Sequence, residues 1–137
     1  MDHATLESIP CVRDFLALDN DLDRFDYLAD LALTTPALDE AHCTEENRIP
    51  GCDSGLYAAL SLEHGRLLLL TQSGSLYVKG LGAMLAAVLA AYPAEAFAEE
   101  AASLADLLYM RGLIPPERRK GLAQLEERVT AFLKICQ

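Results

Sequence analysis

Hydrophobic positions along this chain keep a helical period at both ends and change to short, nearly continuous apolar runs only in the middle. From Thr5 to Leu18 apolar residues recur at Leu6, Ile9, Val12 and Leu16, with Pro10 in the first turns, which predicts a short opening helix. A second helix is expected from about Leu22 to Leu33. Asn20 or Asp21 caps it, and Leu22, Phe25, Leu28, Ala29 and Ala32 form one stripe. Thr34-Thr35-Pro36 ends it, and Ala37 to Pro50 shows no sustained period, so it reads as a long loop.

The period then changes. Leu56–Leu62 and Arg66–Gln72 read as strands joined at Glu63-His64-Gly65, a hairpin signal. After the turn Gln72-Ser73-Gly74-Ser75, the segment Leu76-Tyr77-Val78 fits either a brief third strand or the start of the next helix. Lys79 to Tyr92 is apolar nearly all round and predicts a central buried helix, in which Gly80 and Gly82 let another backbone approach closely. Pro93 stops it, and a further helix is expected from Ala94 to about Ala101. Ser103 caps Leu104 to Arg111, which ends at Gly112. Pro115-Pro116 opens a last amphipathic helix through about Ile135, with Leu122, Leu125, Val129 and Leu133 inward. Helices, a small antiparallel sheet of about three strands, then helices make an α+β fold, with residues 1–137 as one domain.

Charge narrows the partners. A net charge of −10 argues against nucleic acid, whose phosphates demand positive charge, and against anionic membrane surfaces. Met1-Asp2-His3-Ala4 lacks the basic-then-apolar order of a signal peptide, and the apolar run Leu81 to Tyr92 is too short to span a bilayer. Four scattered cysteines (Cys11, Cys43, Cys52, Cys136) without a CxxC then suggest free thiols in a reducing cytoplasm.

The chemistry concentrates in Asn47-Arg48-Ile49-Pro50-Gly51-Cys52-Asp53-Ser54, just ahead of the first strand. Gly51 turns the backbone, so Cys52 is expected near the apex of a turn, where a thiol can meet another protein's sulfur. Arg48 would favour its thiolate and Asp53 oppose it. Persulfide transfer needs one such thiolate, attacking the outer sulfur of another cysteine's persulfide. Cys11 and Cys136 sit in helical patterns and read as structural; His64 lies in a hairpin turn and needs no catalytic role.

These residues carry a resemblance. The pattern Asn-x-Ile/Val-x-Gly-Cys-x-Ser-x-Val-Trp of the SufE/CsdE-type sulfur acceptors stands here as Asn47, Ile49, Gly51, Cys52, Ser54, Leu56 and Tyr57. Pro36, Lys79-Gly80-Leu81, Arg118 and Gly121-Leu122 extend it. The chain departs at Asp53 and Gly55, where the family commonly has Gln, at Tyr57 for Trp, at Gly74 for an acidic residue, and at Cys43 for a basic one.

The resemblance implies a helix-backed sheet related to the IscU-type scaffold. It implies a sulfur carrier that takes sulfane sulfur on Cys52 from a PLP-dependent cysteine desulfurase of the SufS/CsdA type, stimulates that enzyme, and serves iron–sulfur cluster assembly. PLP belongs to the partner; no cofactor or metal is expected in this chain. Asn47, Gly51 and Ser54 would shape the loop, and Arg118 and Lys79 would support it or meet the partner. Cys52 would tuck into an apolar cavity walled by Leu56, Tyr57, Val78 and Leu81. Two other readings stand beside it: a metal- or cluster-binding scaffold using His42, Cys43 and Cys52, and a docking regulator that carries no sulfur. Cys43 reads first as an exposed loop cysteine without a role, with a resolving thiol for Cys52 as an alternative.

Overall fold

A computed structural model describes residues 1–98 and 101–136. The opening helical pattern is two helices, α1 (His3–Ser8) and α2 (Pro10–Leu16). They divide at Ile9 (ψ 127°), because the residue before a proline is pushed out of the helical region. Asp2 caps α1, and Asn20 caps α3 (Asp21–Thr34) by accepting from the Asp23 amide. The stripe expected on α3 is only half right. Leu28 and Ala32 are buried, but Leu22 is 70% and Phe25 42% exposed. The loop that follows holds two 3₁₀ turns, Glu40–His42 and Glu45–Asn47.

The sheet has two strands, not about three. β1 (Leu56–Glu63) pairs antiparallel with β2 (Arg66–Ser73) from Leu56↔Ser73 to Glu63↔Arg66. His64 (φ 53°) and Gly65 (φ 78°) make the tight connection, both left-handed as a primed hairpin turn requires. Leu76-Tyr77-Val78 is instead the first turn of α4 (Leu76–Ala91), because the Ser75 hydroxyl accepts from the Val78 amide and caps it there.

α4 is the central element. It packs on α3, β2, α6 and α2 and buries Val78, Leu81, Met84, Leu85, Val88 and Leu89. Each such side chain removed from water contributes about 2 kcal/mol before entropy is charged against it. The helix expected from Ala94 is a 3₁₀ turn, Ala94–Phe97, and residues 99 and 100 of that expectation lie outside the described residues. Ser103 caps α5 (Leu104–Met110) as expected. α6 (Pro116–Cys136) then runs back across α5, α4 and β1, burying Leu122, Leu125, Val129 and Leu133. Among the described residues no helix is long and apolar enough to cross a membrane.

Candidate functional site

The segment around Cys52 is a closed loop. At its neck the Ile49 amide donates to the Leu56 carbonyl at 2.7 Å, Arg48 bridges to Tyr57, and both Ile49 and Leu56 are buried. Between the necks, Gly51 (φ 81°) and Gly55 (φ 74°) adopt left-handed backbone on either side of Cys52. That region is costly for other residues, so these two positions shape the turn. Gly55 also donates to the Cys52 carbonyl at 3.1 Å, closing a four-residue turn. Glycine at 55, a departure from the family pattern, therefore fits this backbone.

Although it lies in a turn, Cys52 is only 8% exposed. Its side chain points in, toward α6, where an atom added at Gly121 would sit 3.6 Å from Sγ. A cavity of about 10 Å³ adjoins the thiol, walled by Leu56, Val78, Leu81, Leu122 and Leu125, with Glu117 and Arg118 at its polar side. Of the four wall residues expected, Leu56, Val78 and Leu81 line it. Tyr57 does not, because alternation along β1 turns it to the other face.

Polar tethers hold the loop down. Arg118 donates from Nη1 to the Ser54 hydroxyl at 3.1 Å, and its guanidinium lies 5.3 Å from the Tyr77 ring centre. Arg128 donates from Nη1 to the Glu46 carbonyl (3.2 Å) and from Nη2 to the Arg48 carbonyl (3.0 Å). Asn47 donates to the His42 carbonyl at 2.8 Å, joining the two 3₁₀ turns. The stems of Lys120 and Gln124 lie under Gly51. Gly51 and Ser54 thus flank Cys52 in the loop, and Arg118 both lines the cavity and ties down Ser54. Asn47 acts farther back on the His42 carbonyl, and neither it nor Lys79 lines the cavity. The Arg48 side chain faces Glu45 at 3.9 Å, and Asp53 is exposed.

The other cysteines have different surroundings. Cys43 lies outside the cavity and its thiol donates to the Asp39 carbonyl. Desolvation, with Asp39 and Glu40 nearby, pushes that thiol up and makes it a poorer thiolate. His42 is held by Asp39 through Nδ1 at 2.5 Å, and this contact, the largest influence, holds the Asp39 carboxyl below its usual range. Among the described residues no three His, Cys, Asp or Glu side chains are grouped to hold a metal ion, so His42, Cys43 and Cys52 do not form the set that a metal scaffold requires. Cys11 is half-buried in α2 and Cys136 exposed at the end of α6. A larger cavity, about 320 Å³, opens along a different face of α6 beside Ser103 and Glu126 and includes none of the four thiols.

A family model described as "SufE: Fe-S metabolism associated domain" matches residues 10–133. The chain belongs to the SufE family. Membership ties it to iron–sulfur metabolism. The fold is similar to that of a hypothetical protein from Thermus thermophilus solved in solution, with a TM-score of 0.75 and 20% identity over 98% of this chain and 97% of that one. No curated protein matches the sequence.

In this SufE chain the helix beneath the loop contributes more than sequence reasoning assigned to it. Arg118, Gly121, Leu122 and Leu125 follow the i, i+3, i+4, i+7 spacing of one helix face, and all four line the cavity. That spacing was visible, but nothing in it says that the face meets residue 52. Tyr77 and Arg128 also escaped notice. The first depends on α4 beginning at Leu76, and the second on a pairing of side chain with backbone carbonyls that leaves no pattern in sequence.

Proposed function

We propose that Cys52 accepts sulfane sulfur from the persulfide of a PLP-dependent cysteine desulfurase and passes it to iron–sulfur cluster assembly. The Cys52 thiolate attacks the outer sulfur of the donor persulfide. A new S–S bond forms at Cys52, the donor's S–S bond breaks, and the donor cysteine leaves as thiolate; no net oxidation occurs. Clearing the donor in this way stimulates the desulfurase. Delivery repeats the step, with a thiolate of the downstream scaffold as attacker. The PLP stays with the partner, and the reaction suits a reducing cytoplasm, where the other thiols remain free.

The observation that carries this reading is the setting of Cys52. It alone among the four cysteines sits between two left-handed glycines, over an apolar cavity, in a loop held by side chains rather than by regular structure. An inward thiol is kept from solvent between encounters. Rotation about Gly51 and Gly55, with loss of the Arg118–Ser54 bond, would bring it out to a docked donor. An acidic chain is electrostatically suited to a partner with a basic face.

The test mixes the protein with a cysteine desulfurase and free cysteine and follows intact mass and peptide maps. One added sulfur atom on Cys52, removed by a thiol reductant, is expected. C52S should fold normally and neither carry sulfur nor stimulate the desulfurase. Full stimulation by folded C52S would overturn the carrier mechanism and leave a docking regulator.

A further inference from the structure

Gly121 lies within α6, where glycine is the least favourable residue after proline, and its backbone there is ordinary helix. Conformation therefore does not explain it. Nor does close packing: a methyl built at this position would meet only Cys52 among atoms beyond its own helix backbone and chain neighbours, at 3.6 Å from Sγ and 3.7 Å from Cβ. Both are ordinary contact distances. The methyl would fit beside a bare thiol, but it would occupy the side of the cavity that Sγ faces. That cavity, about 10 Å³, has room on the order of one water-sized atom.

The geometry points to Gly121 as the residue that reserves space for the outer sulfur of a Cys52 persulfide while the loop is closed. The inference rests on the sulfur-carrier reading and adds to it a size limit set by position 121. With glycine, Cys52 can carry its extra sulfur and still tuck inward. With alanine, the thiol form closes as before, but the persulfide must hold the loop open. Gly121 is thus a positioning residue for the loaded state only.

This separates it from a residue that merely maintains the fold. G121A removes a helix-interior glycine without a clash, so its thermal midpoint should rise by about 3 °C. Alkylation of unmodified Cys52, followed by peptide mapping, should proceed at the wild-type rate. After loading by a desulfurase with cysteine, cyanide is added as the probe; it takes the outer sulfur as thiocyanate and leaves the Cys52 thiolate. Sulfur should be lost roughly tenfold faster from G121A than from wild type, since attack follows the population of the open loop.

V78L narrows the same cavity from α4 and should also speed loss from the persulfide while sparing the thiol. Equal persulfide lifetimes in wild type and both variants would overturn the inference and leave the carrier reading intact. An unfolded G121A would also overturn it, because the inference requires the methyl to fit at this position. A wild-type Cys52 that takes up no sulfur would remove the carrier reading and the inference with it.

Discussion

Two helices of this fold use glycine at interior positions in opposite ways. On α4, Gly80 faces the backbone of α3: a side-chain atom there would lie 2.7 Å from both the carbonyl carbon and Cβ of Leu28, and closer still to its carbonyl oxygen. Gly82 faces Thr71 of β2, with 2.6 Å to its hydroxyl oxygen. These glycines let elements touch. On α6, Gly121 leaves a gap in front of Cys52. The polar contacts differ as well. α4 meets its neighbours through buried apolar side chains, while α6 reaches across with Arg118, Glu126 and Arg128 to hydroxyls, amides and carbonyls of other segments. The α4 side is thus built for closeness, while the α6 side holds the cysteine loop through separate polar contacts.

The sharpest break of that contrast is G80A. No flexible side-chain tip lies in the way, so the backbone of α3 has to move, and overpacking of this kind costs roughly 3 kcal/mol. Urea unfolding should show that loss as a lower midpoint. A stability within experimental error of wild type would mean that α3 and α4 have slack, and that closeness does not explain their glycines.

Much of the α4 side was legible in the sequence. An apolar run without a polar face predicts burial, which holds. Of the two glycines expected to admit another backbone, Gly80 does so, whereas Gly82 makes room for the Thr71 side chain. The hairpin was legible from His64-Gly65, and the last helix from its leucine period. Capping decided what periodicity could not: Ser75 makes Leu76–Val78 helical, and Pro10 splits the opening helix at Ile9. The stripe on α3 misled because its first two apolar members, Leu22 and Phe25, stay exposed while Leu28 and Ala32 are buried; hydrophobicity names a face but not how much of it a neighbour covers. At the candidate site, the loop residues were legible from their order along the chain. The bed under the loop was not, since Gly121, Leu125 and Arg128 reach residues 46–52 only through tertiary packing.

A smaller effect is expected where α6 holds the loop. R118A removes the bond to Ser54 and the contact over Tyr77 but leaves the apolar wall in place. Losing one such tether is worth about 1 kcal/mol, which corresponds to roughly fivefold faster alkylation of Cys52 in the isolated protein. S54A should give part of the same increase. The double variant should fall short of the product of the two, because both remove one interaction. Unchanged alkylation in R118A would mean that the loop is held by its neck, its glycine geometry and Arg128 without Arg118, and the two sides of the molecule would then differ less than their contacts suggest.

The smallest expected effect concerns Glu126, the α6 residue that serves the start of α5. Its carboxylate accepts from the Ser103 hydroxyl at 2.7 Å and from the Leu104 amide at 2.8 Å. Burial nonetheless pushes the carboxyl above its usual value of 4.5; the bonds from Ser103, Leu104 and Ala105 oppose the shift, and Asp106 adds to it. The folded state therefore keeps this proton to higher pH than the unfolded chain does. Its contribution to stability is complete below the unfolded value and is lost as pH rises through the raised folded value. E126Q keeps the shape without the charge, and its amide can donate to the Ser103 oxygen. Urea midpoints measured upward from about pH 4.5 should decline less for E126Q than for wild type, with E126Q at least as stable at neutral pH. An equal or steeper decline would show that the ionised carboxylate is fully compensated where it sits. The polar bridge on α6 would then carry no electrostatic penalty, and looseness on that side would have to be sought in the cysteine loop alone.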